Sequence, residues 1–153
     1  MNAFFDSVEK REKLRAIAHS WKGTKFMPNA AVKGSGVSCQ TLAGAIYAEV
    51  GFMPADFMAP AGPMNWSHAH KNSRIIAFME TLPQFAALPA GTPYEAGDMV
   101  GFKLGACVQH CGIVLDASGD FVHCMRPEGV LFNTLKDATY MVRIGKLWRP
   151  LKT

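Results

Sequence analysis

Three side chains in this sequence could together do nucleophilic chemistry: Cys39, His110 and His123. Cys39 follows a glycine-loosened stretch, Gly34-Ser35-Gly36-Val37-Ser38, and opens an apolar run, Gln40-Thr41-Leu42-Ala43. A thiol at the start of a helix faces backbone N–H groups without intrahelical partners and the positive end of the helix dipole. Both favour thiolate over thiol, which makes the sulfur a usable nucleophile. Such a thiolate needs a histidine within hydrogen-bond reach and a third group to orient that imidazole. Of the five histidines, His19 falls in a helical stretch, and His68 and His70 fall near the start of another. His110 and His123 fall in strand-like segments.

Hairpin parity relates those two. If the four residues Asp116-Ala117-Ser118-Gly119 form the turn, Leu115 pairs with Asp120 and Gly112 faces His123; a two-residue loop keeps this parity and a three-residue loop would destroy it. Side chains alternate along a strand, so His110, Gly112 and His123 share one face, with His123 one diagonal from His110. Gly112 leaves room beside His123. The expected arrangement is a base and an orienting histidine on one face, with a helix bringing Cys39 over it. A single histidine in a strand is more often structural than catalytic. The shared face and a cysteine at a helix start raise the case for a cysteine hydrolase. A structural zinc site built from Cys107, His110, Cys111, His123 and Cys124 fails on the same alternation. His110 and Cys111 point to opposite faces, as do His123 and Cys124, so no metal is expected. Cys111 and Cys124 are expected to pack as small apolar residues on the core side.

The elements that must hold these groups follow from periodicity. A helix is expected over about residues 6–20, with Asp6 as cap and Glu9 completing a capping box. A loop over 23–38 leads to a second helix from about Ser38 to Val50, stopped by Gly51. Leu42, Ile46 and Val50 lie on one side of it, and Cys39 sits at the top of that buried face. A third helix is expected from about Ser67 to Leu82, ended by Pro83. After Asp98 the texture turns to strand: Met99–Lys103, about His110–Leu115, about Phe121–Met125, Val130–Asn133 and Val142–Trp148. Helices first and an antiparallel sheet second define an α+β class.

Composition agrees with one domain spanning residues 1–153. Apolar residues make up 49% of the chain and charged residues 18%, enough for a core and too little charge for a disordered chain. The net charge of +4 comes without a dense Lys/Arg block. It is compatible with an anionic partner and demands none; nucleic acid and membrane are not expected as partners. Four sparse cysteines read as reduced thiols. The charged N-terminus lacks a signal-peptide core, so the expectation is cytoplasmic synthesis, with a virion tail or the cell wall as further destinations.

In order and spacing these motifs resemble the NlpC-type branch of the papain-like cysteine peptidases, and are most similar to its phage tail-associated cell-wall peptidases. The matching segments are Trp21-Lys22-Gly23-Thr24-Lys25-Phe26, Ser38-Cys39-Gln40-Thr41-Leu42, Asn65-Trp66, Gly97-Asp98-Met99-Val100-Gly101-Phe102, His110-Cys111-Gly112-Ile113-Val114 and Phe121-Val122-His123. The resemblance implies a papain-like fold of N-terminal helices on a sheet of about five strands. It implies Cys39 as nucleophile, His110 as base and His123 as orienter. Phe26, Ser38, Gln40 and Gly112 would form the substrate and oxyanion neighbourhood. It further implies hydrolysis of peptidoglycan stem peptides at the bond between D-glutamate and the diamino acid, through an acyl-enzyme, without a cofactor. Phage tail proteins would be further partners. Phe26 stands where the family has a tyrosine, Ser38 where it has an aspartate, and Thr41 where it has a glycine. These departures define the alternatives: a structural tail module that keeps the fold without the chemistry, or an amidase or acyltransferase on another substrate.

Overall fold

The computed structural model describes residues 2–60, 62 and 70–153. Helix α1 spans Val8–Ser20 and buries Leu14 and Ala18. Its cap is Ser7, whose hydroxyl accepts from the Lys10 N–H, and not the expected Asp6. Asp6 is engaged by charge instead, with Lys10 at 3.3 Å and with Lys152. After α1, the Trp21 indole N–H donates to Glu49 at 2.8 Å, tying this end to the next helix. A short hairpin, β1 (Ala31–Val32) and β2 (Gly36–Val37), leads into helix α2, Cys39–Glu49. Thus α2 begins one residue after Ser38 and ends one before Val50, as its periodicity requires.

The third helix, α3, spans only Arg74–Met79. The expected Ser67 start lies outside the described residues, as do Asn65, Trp66 and His68. Ser73 sets the observed start: its hydroxyl accepts from the Ile76 N–H at 3.0 Å and donates to the Val108 carbonyl at 2.6 Å. At the other end the helix stops before Glu80, short of Leu82.

The sheet has six antiparallel strands, where about five were expected. They are β3 (Phe85–Ala87), β4 (Met99–Leu104), β5 (Cys107–Val114), β6 (Asp120–Met125), β7 (Gly129–Thr134) and β8 (Ile144–Pro150), ordered β3-β8-β4-β5-β6-β7. The additional strand, β3, is a short edge strand paired to β8. Strand β8 starts at Ile144 instead of Val142, because residues Ala138–Met141 form a short helix, α4, capped by Asp137.

The sheet separates two cores. On one face Met99, Cys111, Ile113, Val122 and Cys124 pack with Leu14 and Ala18 of α1, Leu42, Ala43 and Ile46 of α2, and Ile75 and Met79 of α3. On the other, Val100, Phe102, Val114, Phe121, Leu135 and Leu147 form a smaller core, with Tyr140 of α4 against it. The buried Asp98 carboxylate anchors the start of β4 to β8. Arg149 holds both its oxygens, Nε to Oδ1 at 2.9 Å and Nη2 to Oδ2 at 2.8 Å. Burial nonetheless pushes the Asp98 pKa up against that pairing. Tyr47 of α2 donates to the adjacent Gly97 carbonyl at 2.8 Å, joining helix to sheet at the same point.

Candidate active site

The start of α2 is built by Ser38 and Thr41. The Ser38 N–H donates to the Thr41 hydroxyl at 2.9 Å, and that hydroxyl donates to the Ala30 carbonyl at 2.5 Å. One threonine therefore caps the helix and ties it to the hairpin before it. Phe26 forms a parallel bridge with Val37 and packs, half-buried, against the larger core. It flanks the strand that delivers Cys39. Cys39 is half-buried at the first helical position, followed by a half-exposed Gln40.

The hairpin between β5 and β6 has the expected register. Gly112 pairs with His123, and the Leu115 N–H donates to the Asp120 carbonyl at 2.7 Å. Asp116 closes the turn by accepting from the Ser118 and Asp120 N–H groups at 3.0 and 3.3 Å. His110 and His123 share a face: His110 Nε2 lies 2.8 Å from His123 Nδ1. Only a glycine fits between them, since a Cβ at 112 would lie 2.8 Å from the Val122 carbonyl oxygen and 3.2 Å from the His123 Cβ.

Helix α2 does not lie over that face. It packs on the opposite one, against Cys111, Ile113, Val122 and Cys124. The Cys111 thiol donates to the Cys39 carbonyl at 3.6 Å and the Cys124 thiol to the Val37 carbonyl at 3.3 Å. Cys39 reaches His110 because pairing between β5 and β6 ends at Gly112 and His123. Beyond that point β5 continues alongside β4 alone, and β6 alongside β7. At this parting of the strands Cys111 sits against Cys39, and Cys111 and His110 are the side chains whose hydrogen bonding favours the Cys39 thiolate.

These contacts set the charges. The Cys39 pKa falls well below that of an ordinary thiol. The Cys111 hydrogen bond is the largest cause; burial opposes it, and His110 adds a hydrogen bond and its charge. Cys111 moves the other way: its hydrogen bond to Cys39 is the largest cause, and burial and the Cys39 charge add to it. Cys124 is raised to about 12, mainly by burial. The ionisable thiol of the cluster is therefore Cys39. His123 is pushed down to about 4, by burial first and then by His110, against the favourable hydrogen bond of Asn133. It stays neutral at pH 7.

Two residues of the site had no signal in the strand reading. Asn133 of β7 places Oδ1 2.8 Å from His123 Nε2, and the Tyr140 hydroxyl of α4 donates to the same oxygen at 3.2 Å. His19 lies away from this cluster, exposed and stacked on Phe132 at 4.5 Å. Among the described residues, no three His, Cys, Asp or Glu side chains gather as a metal site would require.

No family model matches the sequence, and neither does any curated protein. Solved structures do share the fold. One is a lipoprotein-like protein of the NLP/P60 family from Staphylococcus aureus, with a TM-score of 0.67 and 15% identity over 100% of this chain. This chain spans 45% of that protein's length. Another is the NlpC/p60 domain of the peptidoglycan hydrolase SagA, with a TM-score of 0.58 and 14% identity, covering 90% of this chain and 96% of that domain. The fold is thus the papain-like α+β fold of NlpC/P60 domains.

Proposed function

We propose that this chain is a cysteine peptidase that hydrolyses peptidoglycan stem peptides, with residues 1–153 forming one NlpC-type catalytic domain. One observation carries the reading: Cys39 opens helix α2 against Cys111, beside a His110–His123 pair whose ring nitrogens lie 2.8 Å apart, and Cys111 and His110 both favour its thiolate. The fold likeness supports it, since one of the two relatives is a peptidoglycan hydrolase.

In the proposed reaction the Cys39 thiolate attacks the amide carbonyl carbon. The developing oxyanion accepts from the Cys39 N–H, free of an intrahelical partner at the helix start, with Ser38 and Gln40 bordering the bound carbonyl. His110, carrying the thiol proton, protonates the leaving amine as the tetrahedral intermediate collapses to a thioester. Water attacks that acyl-enzyme after giving a proton to His110, and the acid leaves with the thiolate restored. No metal or cofactor takes part. The finer reading is a phage or prophage enzyme acting with tail proteins on the D-glutamyl–diamino acid bond.

The test is mass analysis of soluble fragments from purified peptidoglycan. The wild type is expected to release stem-peptide fragments whose masses identify the bond cut, and Cys39→Ala to release none. Equal release by Cys39→Ala would refute the assignment. Intact walls after wild-type treatment would favour a tail module without chemistry.

A second reading, an amidase or acyltransferase on an apolar substrate, is favoured by one cleft. It measures about 290 Å³ and opens beside Gln40 and Cys111 between α2 and α3, with Ala43, Tyr47, Phe57 and Phe78 among its lining. Turnover of acylated amides or thioesters, but not of walls, would select it.

A further inference from the structure

We infer that Asn133 and Tyr140 fix the tautomer of His123, and through it decide which nitrogen of His110 is free to take the thiol proton. The inference extends the proposed peptidase site, and its first readout does not depend on turnover.

The hydrogen-bond chain starts at Tyr140. Its hydroxyl donates to Asn133 Oδ1, so that atom is acting as an acceptor. The same oxygen lies 2.8 Å from His123 Nε2. An oxygen offers only lone pairs, so the proton between them belongs to Nε2. A neutral imidazole carries one N–H, which leaves His123 Nδ1 bare. That bare nitrogen lies 2.8 Å from His110 Nε2, so His110 must donate there. With Nε2 occupied, the remaining nitrogen of His110, Nδ1, is the base for Cys39. Tyr140 and His123 then both donate to Asn133 Oδ1, and His110 donates to His123 Nδ1.

The packing holds this direction. Phe102, Phe121 and Tyr140 lie around His123, with ring centroids at 6.5, 4.6 and 5.2 Å. Such an apolar wall disfavours a charged imidazole. Asn133 stands opposite Phe121 in the β6–β7 register, on the histidine face of the sheet, and α4 brings Tyr140 to it. Asn133 touches no reacting atom. It is a positioning residue that acts through His123 and His110.

The experiment is ¹⁵N NMR of the histidine side chains at pH 7, read alongside steady-state wall hydrolysis. The wild type should show His123 as the neutral Nε2–H tautomer. In Asn133→Leu the acceptor is gone, and His123 should become a mixture with substantial Nδ1–H. The kcat should fall at least about tenfold with KM little changed, because only the proton path is disturbed. Asn133→Asp restores an acceptor and should restore both the Nε2–H tautomer and most of kcat. Circular dichroism of each variant confirms folding. A wild-type His123 found as Nδ1–H, or charged at pH 7, overturns the inference without any variant. So does an Asn133→Leu protein with unchanged tautomer and kcat. If the wild type cuts no wall, the peptidase reading fails and the tautomer measurement still decides this one.

Discussion

At the scale of single residues, the cluster divides labour among groups that look alike in the sequence. Cys39, the one half-buried cysteine of the four, is the thiol poised to ionise, because Cys111 and His110 favour its thiolate while its charge holds the Cys111 thiol neutral. Replacing Cys111 by Val removes the largest cause of that shift. The midpoint of Cys39 alkylation should then move to higher pH, and an unmoved midpoint would deny Cys111 its part. His123 makes the opposite prediction about stability. Its pKa is depressed to about 4 in the folded chain, from an ordinary value near 6.5. The unfolded chain therefore binds the extra proton first as pH falls. The stabilisation is complete above pH 6.5 and is lost as pH drops toward 4, by roughly 3 kcal/mol. Urea unfolding at pH 7 and pH 4 should show this fall, and His123→Gln should flatten it.

At the scale of elements, the β5–β6 hairpin was legible and the helix placement was not. A four-residue turn with Asp116 and Gly119 at its ends fixes parity, which is enough to put His110 beside His123. Parity cannot say which face a helix covers. Cys111 and Ile113 lie on one face of β5 and Gly112 and Val114 on the other, and with only Gln109 and His110 polar along the strand no polarity contrast marks the helix side. Asn133 was hidden for a related reason. The loop of Arg126, Pro127 and Glu128 is odd in length, and one residue more or fewer would turn Asn133 to the far face. Two anchors can be tested at this scale. Thr41→Val removes the hydroxyl that caps α2 and should cost about 1 kcal/mol. Arg149→Met leaves the buried Asp98 carboxylate unpaired and should cost about 3 kcal/mol or more. Equal denaturation midpoints for wild type and either variant would contradict these roles.

At the scale of the whole molecule, two cores on opposite faces of one sheet meet where strands β5 and β6 part. The larger core carries α2 and the thiol; the smaller carries the imidazoles and the Tyr140 wall. The thiol and the imidazoles thus come from opposite sides of the sheet, and the proposed reaction depends on the end of pairing at Gly112. This is why the departures at Ser38 and Thr41 leave the site assembled: they act on the cap of α2, not on the meeting point. Among the described residues, no helix is long and apolar enough to cross a membrane.

The proposed chemistry requires Cys39 to be a thiolate near neutral pH. The direct measurement is the pH dependence of its alkylation by iodoacetamide, with the modified cysteine located by peptide mass spectrometry. Cys39 is expected to react first, with a rate that rises at a midpoint well below the value near 8.5 of an ordinary thiol. A midpoint at or above that value, or faster labelling of Cys111 or Cys124, would contradict it.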